Sequence, residues 1–543
     1  MTKLLATVAI ALCLSFPTYA GVYQDSAGKK HEWHISDDHS MIWDGERYIP
    51  IGGMFVSRYV SNPTAANLSW DRQTLQKIRS AGVRDIYVNA SFTRATPGDF
   101  QKVIDLLEEL GFRYGIQAPV SMKADARGYY IDPAAYIAVA GEDGKASVDM
   151  SKKLPKSIQL EKSGLYLVYN RSGKYKVGNI QWTANSATIS DAVIRRGDTV
   201  KIVPAVVTHN WIAENPDKLL AWLKSIRPGA GYRLLLDPMG NEYSPPANFW
   251  PSPEKWGKEY AAWLAARGGA SNEVNVLPVT SNIAIDLATN KAIVGSSSAS
   301  SWKSTKEAID DVLRSKIYEN LEKIRQISGI PIVAKRHRQA TRIWISLDPK
   351  LGFDGLGADS YGSGSNLLRF NALQAYVEAS QSRRPTWVLT TEYSHDAKKN
   401  NYVGYKDSDD LWSGITSLLS NGSRGVYVFG LSLSSNDNDR NWANYDLVKS
   451  PENLKWLSEY KVEESTLSLR PKVVLTYKVV SDDLRPFLPD AANALNGAHA
   501  GPLSTIRVPS GYVMVPAFYK TAGIAVCTSI ADARSNKSCS NLR

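Results

Sequence analysis

The chain has little cysteine: three residues in 543, at positions 13, 527 and 539. That excludes a disulfide scaffold. It has no Lys/Arg block, so its formal net charge of +11 is spread along its length and gives no electrostatic footprint for nucleic acid. After the first twenty residues no stretch reaches 18 apolar residues, which argues against a membrane-spanning helix. No Gly-rich phosphate loop follows an apolar strand, and no Gly-x-Ser-x-Gly elbow is present. His337 and His395 suggest metal, but no close His/Asp/Glu set has ligand spacing, so no metal and no cofactor is expected. What the chain does have is Trp and Tyr, 15 and 27 residues against 11 Phe. Both pair an apolar face with a polar edge.

Residues 1–20 read as a signal peptide. Lys3 is the basic start, Leu4 to Phe16 is apolar, and Thr18-Tyr19-Ala20 has the pattern of a cleavage site. The expectation is a secreted or periplasmic protein. Cleavage leaves Cys527 and Cys539, which in an oxidising compartment form a disulfide across a short loop or remain two thiols.

The remainder alternates short apolar strands with helical text. Eight strand segments centre on Ile51, Ile86, Ile116, Leu235, Val333, Leu356, Val388 and Val426. Between the second and third, Pro97 to Leu110 carries Phe100, Val103, Leu106 and Leu107 at helical spacing. A capping box, Ser304 with Glu307, predicts a long helix starting after the Ser-rich loop Gly295–Ser301. Eight strands in βα order predict a (β/α)₈ TIM barrel over 30–121 and 208–460. The alternative is an open doubly wound sheet. Residues 122–207 alternate with period two between Gly-containing turns and predict a small inserted β domain; 462–543 predicts a C-terminal β domain.

In such a barrel chemistry sits at the C-terminal strand ends. The fourth strand runs into Asp237-Pro238-Met239-Gly240-Asn241-Glu242, and the seventh into Thr390-Thr391-Glu392-Tyr393. Two glutamates on opposite sides of one barrel mouth provide an acid and a nucleophile for attack on an acetal carbon. The structural alternative is that each is a solvated or ion-paired strand end. Asn89, Gln117 and Arg58 lie at or beyond early strand ends, as hydroxyl binders or loop caps. Trp256 and Trp263 sit on a helix face as core. Trp250, in a Pro-rich loop, is a candidate sugar platform. Lys335-Arg336-His337-Arg338 ends the fifth strand, as a solvated loop or a subsite for an acidic group.

These features resemble the clan A retaining glycoside hydrolases, the cellulase-like and β-galactosidase-like barrels. The residues that carry the resemblance are Trp43 to Phe55, Asn241-Glu242, Asp359-Ser360-Tyr361 and Glu392, and it spans roughly 30 to 460. It implies Glu242 as acid/base, Glu392 as nucleophile, Asn241 on the sugar 2-hydroxyl and Tyr361 on the nucleophile. One departure stands out: the eighth strand ends Val428-Phe429-Gly430-Leu431 where the clan has Trp, and Trp442 downstream is the candidate substitute. The reading is a monomeric hydrolase of an oligo- or polysaccharide, neutral or acidic, with Arg336 and Arg338 as candidates for an acidic group. Its rivals are a transglycosylase using the same glutamates and a non-catalytic glycan-binding or cell-surface protein with a degenerate barrel.

Overall fold

The computed structural model describes residues 20–90, 94–131, 136–142, 144–149, 159–170, 173–181, 186–190, 194–241, 243, 249–266, 276–280, 283–294, 296–336, 352–361, 372, 375–376, 379, 384–394, 397–398, 401–402, 405–431, 447, 450–467, 474–476, 513–514, 524–527 and 540–542. The segment read as a signal peptide lies outside them up to Ala20, and so does Cys539. Cys527 ends a short strand, Ile524–Cys527.

Eight parallel strands close into a barrel. In chain order they are Ile51–Val56, Asp85–Asn89, Arg113–Gln117, Tyr232–Leu236, Ile332–Arg336, Gly355–Tyr361, Trp387–Ser394 and Val426–Leu431. These are the eight segments expected from the sequence. A barrel strand packs side chains inward and supports helices outward, so it reads as a continuous apolar run. The seventh and eighth strands are buried at every residue.

The helices form for local reasons. Thr96 and Asp99 build a reciprocal capping box on Pro97–Glu109, and Pro97 suits the first turn. That helix buries Phe100, Val103, Ile104, Leu106 and Leu107 against the barrel. Asp407 caps Ser408–Leu419 by accepting the Asp410 N–H. One boundary differs from the sequence reading. The long helix begins at Ser296, not Ser304, and takes in the Ser-rich stretch. Serine costs only a few tenths of a kcal/mol in a helix interior, so a cap signal there does not force a start.

A four-stranded antiparallel sheet covers the N-terminal end of the barrel: Ala20–Gln24, Lys30–Ile35, Met41–Trp43 and Glu46–Tyr48. The Trp33 indole N–H donates to Gly329 O at 2.8 Å and Tyr23 OH to Pro228 O at 2.7 Å, both just ahead of barrel strands. Tyr48 OH donates to Asp85 Oδ1 at 2.8 Å, and Arg113 pairs with Asp85 Oδ2 at 2.5 Å.

Between the third strand and the helix Asp217–Ser225 lies a β-rich segment. Its main sheet pairs Tyr175–Gln181, Gln159–Asn170, Thr199–Ala213 and Lys123–Ile131 in that order. Phe249–Pro251, from beyond the fourth barrel strand, adds to its edge. Two apolar clusters form there apart from the barrel core, one around Val168, Val200 and Val206, the other around Leu167, Ala205 and Ile285. No helix among the described residues is long and apolar enough to cross a membrane.

Trp33 is buried to 1% and ties the N-terminal sheet to the barrel. Trp33→Ala is expected to cost about 3–5 kcal/mol, through the cavity and the orphaned Gly329 carbonyl. Urea unfolding of the variant beside wild type measures the loss.

Candidate active site

The C-terminal barrel end is polar where the N-terminal end is sealed. The fourth strand leaves the barrel through Asp237, whose φ is +55°, and Gly240, whose φ is +106°. Aspartate tolerates the left-handed region better than most residues, and Gly240 has no Cβ to strike Lys123 Cε, which would lie 2.7 Å away. Gly240 N–H closes the turn on Asp237 O at 2.8 Å. The turn is also held from the β-rich segment: Met122 N–H donates to Pro238 O at 2.8 Å, and Ala213 N–H to Tyr243 OH at 3.1 Å. Asn241 is thereby set over the barrel mouth.

Beneath it, Asp237 is buried and each of its oxygens accepts one N–H. Lys335 N–H donates to Oδ1 at 2.8 Å and Gln117 Nε2 to Oδ2 at 2.9 Å. Burial pushes the Asp237 carboxyl up to about 7, against the opposing pull of Lys335 and Gln117. Gln117 Nε2 also donates to Asn241 Oδ1 at 2.7 Å, and Lys335 Nζ to the same oxygen at 2.8 Å. Two donors converge on that atom, which sets the amide orientation: oxygen inward, NH₂ toward the exposed side.

Glu392 ends the seventh strand and is 3% exposed. Its Oε1 accepts from Lys335 Nζ in a direct ion pair and from Tyr87 OH at 3.3 Å. Asp359, on the sixth strand, lies across from Glu392 in register, with Oδ2 at 4.0 Å from Lys335 Nζ. Its Oδ1 accepts from Thr391 Oγ1 at 3.0 Å. Lys335 itself is 1% exposed. Burial works against its charge, but Asp359, Glu392 and Asp237 outweigh it and hold the ammonium well above the usual lysine range. Tyr87 is likewise held protonated, by burial and by the same three carboxylates.

The structure thus brings together Asn241, Gln117 and Glu392 of the residues chosen from sequence. Asn89 ends the second strand, half-buried, with its amide 3.2 Å from Met54 Sδ. Trp250 is placed differently from its reading as a platform. It is buried beside Val203, Leu277 and Val279, paired across strands with Tyr129, and is a core residue. It belongs to the short strand Phe249–Pro251, which pairs with the edge of the adjoining sheet. Trp256 and Trp263 pack against the main core. Arg58 stacks on Trp70, 4.2 Å from the ring centre. Glu242, Arg338 and Trp442 lie outside the described residues, as do the side chains of Arg336 and Tyr361.

Three site residues were not legible as such. Tyr87 and Asp237 sit in or beside apolar runs, and nothing local marks them as site residues. Lys335 was grouped with the basic residues that follow it. The available signal was one charge closing the otherwise apolar run Ile332-Val333-Ala334, which places it in the barrel layer and not beyond it. Among the described residues, no group of three or more His, Cys, Asp or Glu could hold a metal ion.

Asp237→Asn would turn one acceptor into a donor facing a donor. A loss of about 1–3 kcal/mol in urea unfolding is expected. The gap between wild type and variant should widen as pH falls from 7 toward 4. In that window the folded carboxyl, raised to about 7, binds a proton that the unfolded one releases.

No protein-family model matches the chain, and no curated protein matches it. Solved structures do. A GH113 β-1,4-mannanase is similar over 76% of this chain and 99% of its own, at 9% identity and TM-score 0.31. The catalytic domain of a β-amylase from Paenibacillus polymyxa is similar over 76% and 100%, at 10% identity and TM-score 0.33. A glycoside hydrolase family 5 mannosidase from Rhizomucor miehei is similar over 80% and 97%, at 8% identity and TM-score 0.33. These three are a mannanase, a β-amylase domain and a mannosidase; the closed eight-stranded barrel of this chain rests on its own strand pairing.

Proposed function

We propose that the protein is a secreted retaining glycoside hydrolase acting on an oligo- or polysaccharide, with Glu392 as nucleophile and Glu242 as acid/base. The observation that carries this reading is the joining of two strand ends. A single buried ammonium, Lys335 Nζ, contacts both Glu392 Oε1 and Asn241 Oδ1, so the residue preceding Glu242 and the seventh-strand glutamate share one mouth.

The steps follow from that placement. Glu392 attacks the anomeric carbon as a carboxylate while Glu242 gives its proton to the departing glycosidic oxygen. Water then attacks the same carbon, its proton passes to Glu242, and the electron pair of the breaking carbon–oxygen bond returns to Glu392. The outward NH₂ of Asn241 donates to a sugar hydroxyl. Tyr87 OH donates to Glu392 and helps fix its rotamer.

The leader over residues 1–20 and the Cys527–Cys539 bond belong to the same proposal of a secreted enzyme. Lys335 serves the internal ion pair, so an acidic-substrate subsite would rest on Arg336 and Arg338.

Retention is tested by following the anomer first released from an activated glycoside by proton NMR. A 2-deoxy-2-fluoro analogue should leave one glycosyl unit on the peptide containing Glu392. Glu392→Ala should fall to background turnover and recover with azide, giving the inverted glycosyl azide. Glu242→Ala should lose about 10²–10⁴-fold on substrates with poor leaving groups and much less on activated ones. First release of the inverted anomer, or labelling elsewhere, would refute the assignment.

Acidic preference is tested with an acidic glycan and its carboxyl-reduced form. If the subsite exists, wild type at low salt should favour the acidic form by roughly tenfold to a hundredfold in kcat/KM, and Arg336→Ala/Arg338→Ala should abolish the preference.

A further inference from the structure

We infer that Lys335 is a positioning residue: it keeps Glu392 as a carboxylate and locks it to Asn241 through one shared ammonium. The inference rests on the assignment of Glu392 as nucleophile and adds a residue to it.

The geometry comes first. The lysine is fixed at both ends, its backbone N–H on Asp237 Oδ1 at 2.8 Å and its Nζ on Asn241 Oδ1 at 2.8 Å and on Glu392 Oε1. An ammonium has three donors and no acceptor, so every such contact fixes its partner as an acceptor. The flexible stem is buried with the head, and its freedom is lost on folding and not on substrate binding.

The charge balance comes second. Among the described residues, ionisable groups facing the ammonium include Glu392 from the seventh strand, Asp359 from the sixth, Asp237 from the end of the fourth and, through Glu392, Tyr87 from the second. Lys335 is in ion-pair contact with both Glu392 and Asp359. Removing it takes a positive charge from beside buried carboxylates, which favours uptake of a proton there. Glu392 is the partner in direct contact. A protonated Glu392 cannot attack, and in the second step a carboxylate without its counter-ion is a poorer leaving group.

Position comes third. Lys335 pairs in register with Gly357 on the sixth strand, where an added Cβ would meet Thr391 Cγ2 at 2.4 Å. The crowded neighbourhood suits a compact point charge better than a planar fork. Arginine is thus expected to restore the charge but not the full geometry.

The test uses wild type, Lys335→Met and Lys335→Arg, with Glu392→Gln as a spectroscopic reference. Infrared difference spectra against that reference across pH report the ionisation of Glu392 with no turnover required. The half-protonation point should rise by about 1–3 pH units in Lys335→Met and return most of the way in Lys335→Arg. The acid limb of kcat/KM should rise by the same amount, with kcat falling more than KM changes. A purely packing role would lower stability and leave both titrations in place, and that result overturns the inference. If Lys335→Met does not fold, Lys335→Gln gives the same neutral comparison. A wild type that hydrolyses no glycoside while the titration still follows Lys335 would sink the nucleophile reading and leave the lysine's hold on Glu392 intact. An active, retaining wild type with an unmoved titration would sink the inference alone.

Discussion

A lysine ammonium removed from water is tolerable only where carboxylates surround it, and Lys335 is where this barrel meets that condition. Taking such a group out of water costs several kcal/mol, and good geometry with every partner is what offsets the cost. The partners come from the end of the fourth strand and from the sixth and seventh strands, and the lysine from the fifth. None of these contacts is local in sequence. They exist only when the sheet closes with its observed register, in which Lys335 lies level with Gly357 and Asp359 with Glu392. A register slip of one residue would turn the carboxylates and the ammonium away from one another.

The two barrel ends divide the work. At the N-terminal end, Trp33, Tyr23 and Tyr48 place large rings over the strand starts, and their polar edges satisfy backbone carbonyls and Asp85. At the C-terminal end the same strands terminate in charge and amide groups. The apolar layer between them, including Met54, Leu235, Val333 and Val388, is fully buried and carries the stability that the polar end does not supply. Conformational cost is also concentrated there, in the left-handed Asp237 that turns the chain into Asn241.

The β-rich segment after the third strand has cores of its own, yet its two stems bear on the site. Met122 at its entry and Ala213 at its exit both hydrogen-bond to the loop carrying Asn241. A segment that looks appended thus braces the turn on which the fourth-strand residues depend. Phe249–Pro251 joins the same sheet from the far side of that turn and pins its other end.

The sequence by itself determined the barrel. Eight apolar runs, separated by capped amphipathic helices, leave few other ways to bury both faces of every strand. It also determined that polar residues collect at strand ends, and so pointed to Asn241, Gln117 and Glu392. Helix starts were less legible, as the early beginning at Ser296 shows, because a cap signal is worth less than continued packing. Trp250 read as a platform because nothing local reveals that a distant sheet edge lies over it. Only the tertiary structure decided what Lys335 does. A lysine followed by basic residues reads as one charge among several until closure of the barrel sets it between Asn241 and Glu392. Asp237 and Tyr87 became site residues in the same way. The energy of a buried charge depends on which partners lie within a few ångströms, and that is a property of strand register and closure, which no local segment contains.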